Sequence, residues 1–250
     1  MSIDLKEQRA LAVASAWRRI DSIGASASEA FLSAGSFTKA LNVATAIRDL
    51  RNALTDEVME PIMELMNSPL GFLTDQDPLR PSATNPHPKP YSVAVVRDCF
   101  IEGRLRGFFP VNNEMNIIAG RFYGAVAGFD RLVRNHPRVT DFKDFYDVPR
   151  VLGDAGALVK CRATWKQDKI AQTFEREFAV RINRGMGTDA IAGKAKRKLL
   201  AAVYARLTGV VTPDGEAGDL DMKPAGKPAT DAAAATTTAA DLFGGKKEKA

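Results

Sequence analysis

The sequence predicts an α+β fold with a helical N-terminal part, an antiparallel hairpin, a closing helix and a disordered C-terminal tail. Three observations predict it. Apolar residues recur at helical spacing through much of residues 5–67, the segments 157–166 and 173–182 alternate apolar with polar, and Asp, Gly, Pro, Lys, Ala and Thr dominate everything after Pro213. The first pattern has the 3.6-residue period of a helix and the second the two-residue period of a half-buried strand. The third buries too little apolar surface to offset the entropy of ordering the chain.

The N-terminal part, 1–67, divides into helices at 5–20, 29–54 and 55–67. Gly35 is a candidate break in the second, and Thr55 a candidate N-cap ahead of Asp56 and Glu57. Residues 68–90 carry repeated prolines, which remove backbone donors and disfavour helix at the preceding residue, so they form a mobile loop. Helical spacing returns at 91–107, with Val93, Val96 and Phe100 on one stripe and Arg97, Glu102, Arg104 and Arg106 off it. A short strand fits 115–123 and a helix fits 126–134, stopped ahead of Pro137. In the strand 157–166, Val159, Cys161, Ala163 and Trp165 alternate with Lys160, Arg162, Thr164 and Lys166. The connection 167–172 leads to a second strand with Phe174, Phe178, Val180 and Ile182 on one face. Pairing Lys166 with Thr173 sets Arg162 opposite Glu177, so part of the basic face reads equally well as cross-strand ion pairs. The last helix is capped by Thr188 or Asp189 and closed by Gly209, with Lys194, Arg197 and Lys198 on one side of it. On the opposite arc, Lys196 and Arg206 fall among Ile191, Ala195, Leu199 and Val203 and need pairing there. Residues 210–250 form the tail.

The formal net charge is +5. From Thr208 on, five lysines stand against seven acidic residues, a balance of −2, so the preceding part carries +7. A basic body with an acidic tail suits a polyanion partner, because clustered Lys and Arg displace counterions from phosphates. Two separated cysteines, Cys99 and Cys161, make neither a disulfide framework nor a CxxC metal site. No stretch approaches about 20 uninterrupted apolar residues, and the first residues lack an apolar signal region, which leads us to expect a soluble cytoplasmic protein with no membrane partner.

Motifs for catalysis are missing. There is no GxSxG, Walker A or HExxH sequence, and neither His87 nor His136 has a companion ligand at metal spacing, so we expect no catalytic residue, metal or cofactor. Asp141, Asp144 and Asp147 are the exception: they could hold magnesium for a nuclease, or lie in a solvated loop.

The stretch 91–134 resembles the phage single-strand annealing proteins of the RecT and Red-beta group. Gly107, Pro110, Asn113, Glu114, Asn116, Ile118, Gly120, Arg121, Tyr123, Gly128 and Leu132 fill a phrase of that family, with Ala127 where the family carries a charged residue. The segments CRATW at 161–165, FEREFAVR at 174–181 and the helix 189–209 are similar to it as well, so the resemblance spans 91–209. It implies a curved antiparallel sheet, the hairpin included, backed by helices, that assembles into homo-oligomeric rings or helical filaments. It implies ATP-independent binding and annealing of single-stranded DNA, with annealed duplex as the product. A phage exonuclease and the host single-strand-binding protein are partners by the same resemblance. On the family's pattern the backbone contacts fall to Arg121, Tyr123, Lys160, Arg162, Lys166, Lys194, Arg197 and Lys198, all DNA-binding candidates. Tyr123 or Trp165 could stack on a base, although the alternation around Trp165 favours the core for it.

Two other readings remain at this point. One is the metal-dependent nuclease on the three aspartates; the other is a structural or oligomerising phage protein without DNA activity, whose basic helix face is merely solvated. In the tail, Leu242 and Phe243 resemble the short Leu-Phe peptides that dock on replication proteins.

Overall fold

In a computed structural model of the chain, α1 (Leu5–Leu32) runs straight through the segment DSIGASAS, which the sequence placed between two helices. Residues 5–32, 37–82, 85–153, 156–182, 186–210 and 212 are described; Gly35 and the tail from 213 on lie outside them. Gly24 acts here as a contact. A Cβ on it would sit 2.7 Å from a guanidinium nitrogen of Arg104, so a larger residue would push that side-chain end aside. The chain returns as α2 (Phe37–Ala53), and α3 (Asp56–Glu64) follows with Thr55 extended at its N-cap, its hydroxyl accepting no capping hydrogen bond.

Residues 68–82 and 85–90 run mostly as turns and irregular chain, the loop expected, with one short strand inside it. Within them β1 (Leu73–Thr74) pairs in parallel with β2 (Met115–Ile118). Its continuation brings Asp75 to the far end of β2, where Oδ2 accepts the Ala119 amide at 3.0 Å and Oδ1 accepts the Tyr91 hydroxyl at 2.7 Å. Prolines remove donors but leave side chains free to clamp a neighbour, and that clamp lies 44 residues away in sequence.

The expected single strand at 115–123 is instead a hairpin, β2 with β3 (Arg121–Gly124), joined through Ala119 and Gly120 at φ 50° and 70°. Two left-handed central residues make the turn that matches strand twist, and Asp75 offsets the cost of an alanine there. The phrase that carried the resemblance is largely this hairpin's scaffold. Glu114 is buried and accepts Arg131 Nε at 2.6 Å and the Phe109 amide at 3.1 Å, while Asn116 Oδ1 accepts the Leu73 amide at 3.0 Å. A Cβ on Gly128 would meet the Phe108 ring at 2.3 Å.

Before the hairpin, α4 (Val93–Leu105) buries Val96 and Phe100 as its stripe demands, but also Arg104. After it, α5 (Val126–Arg134) has the expected bounds. Then comes a strand the sequence reading missed, β4 (Val139–Tyr146), followed by β5 (Arg150–Leu152). Both pair with the same edge of β6 (Gly156–Gln167), and β7 (Ile170–Arg181) pairs with the other edge along its whole length. The β6–β7 turn is tighter than expected, with only Asp168 and Lys169 between paired residues, at φ 51° and 71°. The register therefore shifts by two: Arg162 faces Glu175 and Lys160 faces Glu177. A shift of two preserves the faces, so the alternation holds, with Val159, Cys161, Ala163 and Trp165 all buried.

The long helix α6 (Thr188–Thr208) covers that inner face and packs on β6, β7, β4 and α5. Its N-cap is Gly187 rather than Thr188 or Asp189, and Gly209 ends it at φ 74° with its amide donating to Ala205 O at 2.7 Å. One buried apolar cluster runs from Ile20, Leu50 and Ile62 through Phe100 and Phe129 to Val159, Leu199 and Val203, so the N-terminal helices share their core with the sheet layer. Among the described residues no helix is long and apolar enough to cross a membrane.

Candidate nucleic-acid interface

The eight candidate side chains separate into three groups. Lys160, Arg162 and Lys166 project from the outer face of β6, the face away from α6, and all three are exposed. The structure adds two neighbours that sequence reading missed, Lys143 and Phe145 on β4, where Phe145 is the register partner of Arg162 and Lys143 that of Thr164. Both are exposed, Phe145 by 43%. The Arg162 guanidinium carbon lies 4.8 Å from the Phe145 ring centroid.

Carboxylates interleave with these cations. Lys160 Nζ meets Glu175 Oε1 at 2.6 Å, and Lys166 Nζ meets Asp141 Oδ2 at 2.6 Å. The hydrogen bond and charge of Glu175 raise Lys160 above its ordinary value, as those of Asp141 raise Lys166, and both carboxyls are lowered in return. Among the described residues no carboxylate stands at ion-pair distance from Arg162 or Lys143, so the face keeps positive charge available to an anion.

The second group, Lys194 and Lys198, does another job. Their ammonium groups donate to the backbone carbonyls of Arg181 at 3.1 Å and Ala179 at 2.8 Å, along the edge of β7 that no strand covers. Lysines over an open edge blunt its capacity to pair with another chain. The third group joins Tyr123 to Arg197. Arg197 is 4% exposed, with its guanidinium carbon 4.4 Å above the Tyr123 ring, and Tyr123 is half-buried beneath it. The expected solvent-facing contact at Arg197 is thus an interior one, because α6 is covered on more sides than a surface helix. Arg121, at the turn end of the β2–β3 hairpin, is exposed. Trp165 is 2% exposed and belongs to the core, so it cannot stack on a ligand.

Asp141, Asp144 and Asp147 do not converge. Asp141 sits in a bulge of β4 at φ 55°, where an extra residue lies between the pairs Thr140–Lys166 and Lys143–Thr164. The bulge resets the alternation, so that Val139 and Phe142 both point inward while Asp141 faces Lys166 outside. Asp144 then falls on the inner face, 10% exposed, where it takes Arg134 at 2.9 Å, Lys196 at 3.5 Å and the Tyr146 hydroxyl. Burial acts to raise its carboxyl and is outweighed by Tyr146, Lys196 and Arg134, which hold it below the ordinary value. This is the partner that Lys196 needed on its helix; Arg206, by contrast, is exposed. Among the described residues no group of three His, Cys, Asp or Glu side chains is placed to hold a metal ion. Burial pushes the Cys99 thiol up to about 12 and the Cys161 thiol up to about 11, so both stay protonated near neutral pH.

No protein-family model, curated protein or solved structure matches this chain.

Proposed function

We propose that this chain binds single-stranded DNA and anneals complementary strands without ATP, as a phage recombination protein of the RecT and Red-beta type. The observation that carries the DNA-binding half is the uncovered outer face of the second sheet. There Lys143, Lys160, Arg162 and Lys166 surround an exposed aromatic ring, Phe145. Annealing needs a surface that holds the phosphate backbone without reading sequence and leaves base edges free, and lysine and arginine on an exposed sheet face supply that. The annealing half rests on the resemblance of residues 91–209, and the α+β order of hairpin, helix, sheet and helix agrees with it.

Self-association belongs to this reading, because many subunits along one strand multiply weak contacts. Exposed apolar side chains at Phe37 and Leu41 on α2, at Val148 ahead of β5 and at Val151 and Leu152 on it, favour it. They favour equally a structural phage protein that oligomerises without touching DNA. The cytoplasm of a host cell, a phage exonuclease and the host single-strand-binding protein complete the proposal. The nuclease reading has no comparable support, since Asp141 and Asp144 lie on opposite faces of β4 and each is held by cations.

The test is the annealing of two complementary labelled oligonucleotides, without ATP and at two salt concentrations, comparing the parent with a Lys143→Glu, Arg162→Glu double variant. The expected result is salt-sensitive acceleration by the parent and its loss in the variant. No acceleration by well-folded parent protein overturns the assignment; acceleration that survives the double substitution moves the DNA off this face. Arg197 is not a usable probe, because reversing a buried charge disturbs the fold itself.

A further inference from the structure

We infer that Phe145 is the base-stacking residue of the outer sheet face, the group through which that face distinguishes unpaired nucleotides from duplex. The inference rests on the DNA-binding reading above and deepens it.

An aromatic ring on the open side of a strand leaves apolar area in water, and 43% of Phe145 is so exposed. The inner face of β4 is packed, with Phe142 and Val139 buried, so apolar residues in this strand do reach the core where the pleat allows. Phe145 lies on the other side of that pleat, paired with Arg162, whose guanidinium stacks on it. One ring face is supported by a cation, and among the described residues no strand lies beyond β4, which leaves the ring accessible from the sheet's edge. Lys143 lies two residues away on the same face, and Lys160 and Thr164 are the diagonal neighbours on β6. This is the composition of a single-strand platform: a ring for the base, cations for the adjoining phosphates, and no array of amides and carboxamides to read base edges.

Selectivity follows from geometry. A base can lie on the Phe145 ring only when it is out of a double helix, whereas Lys143, Lys160 and Lys166 meet phosphates of either form. The ring therefore contributes to single-strand binding alone, and the cations to both. Of the other nominated rings, Trp165 is buried at 2% exposure, and Tyr123 lies on β3 of the other sheet, half-buried against the buried Arg197.

The experiment uses the full chain with an oligo(dT) strand and a preformed duplex of equal length, for the parent and for Phe145→Leu and Phe145→Trp. Leucine keeps the apolar volume and the fold while removing the ring. Phe145→Leu should weaken single-strand binding about tenfold, leave duplex binding and the salt slope unchanged, and so narrow the ratio between the two. Phe145→Trp should retain the parent's affinity and lose tryptophan emission on adding oligo(dT) but not duplex, beyond any change the parent shows. Parent-like affinity of Phe145→Leu for both ligands, together with an unquenched tryptophan, overturns the stacking role while leaving DNA binding intact. An altered subunit number in Phe145→Leu without DNA, with the affinity ratio unchanged, assigns the ring to a subunit contact and likewise overturns it. A parent that binds neither ligand fails the DNA-binding reading first and this inference with it.

Discussion

Lys160, Arg162 and Lys166 on β6 and Lys194, Arg197 and Lys198 on α6 are rows of three cations with the same spacing logic and opposite fates. The strand row is exposed, on a face that no other described residues cover. In the helix row two lysines are spent on the carbonyls of β7 and the arginine is buried on Tyr123. Periodicity says which side chains share a side. Whether that side meets water depends on what the rest of the chain lays against it, and α6, unlike β6, has protein on nearly every side.

The largest effect that sharpens the contrast is Arg197→Glu. It places an anion in a buried site made for a cation, and should cost about 3 kcal/mol or more of stability. Arg162→Glu on the strand should stay within about 0.5 kcal/mol of the parent. Denaturant titration of the two variants checks this, and equal destabilisation would erase the distinction between the rows.

A second effect of intermediate size lies beneath the sheet. Asp144→Asn removes a charge from beneath Arg134, Lys196 and Tyr146 and should cost about 2 kcal/mol at neutral pH. Since the folded carboxyl is held below its unfolded value, its stabilisation is complete above the unfolded carboxylate range and is lost as pH falls through the folded value. The variant should therefore lie below the parent at pH 7 and converge with it in acid. A gap that persists once the folded carboxyl is itself protonated would show that Asp144 acts by packing rather than by charge.

How much was legible in the sequence follows from how local each signal is. Strand β6 was read from its unbroken alternation, and helix α5 and the bulk of α6 from helical spacing together with their end signals, Pro137 and Gly209. Strand β4 was not, because Asp141 inserts one residue and turns a two-residue alternation into a spacing of three between Val139 and Phe142. With β4 went Lys143 and Phe145, two of the five side chains that make the outer face. The one available clue was the density of rings in VTDFKDFY, which suits a strand better than a solvated loop. The clamp of Asp75 on the β2–β3 turn is a long-range contact, and nothing in a proline-rich segment announces it.

The smallest effect tests whether the strand row is as free as its exposure suggests. Glu175 holds Lys160, and in the free protein competes with a phosphate for that ammonium. Exposed ion pairs are weak, so Glu175→Gln should not measurably change stability. It removes a negative charge from the edge of the face, so an oligonucleotide should bind roughly twofold tighter, with a steeper dependence on salt. The same change opposite α6 would have no such consequence, because Lys194 and Lys198 answer to backbone carbonyls that no substitution removes. Tighter binding in Glu175→Gln with slower annealing would mean that the interleaved carboxylates are there to keep each contact weak enough for strands to slide into register. Unchanged affinity would mean that the phosphates never reach Lys160, and would confine the DNA to the β4 side of the sheet, around Lys143, Phe145 and Arg162.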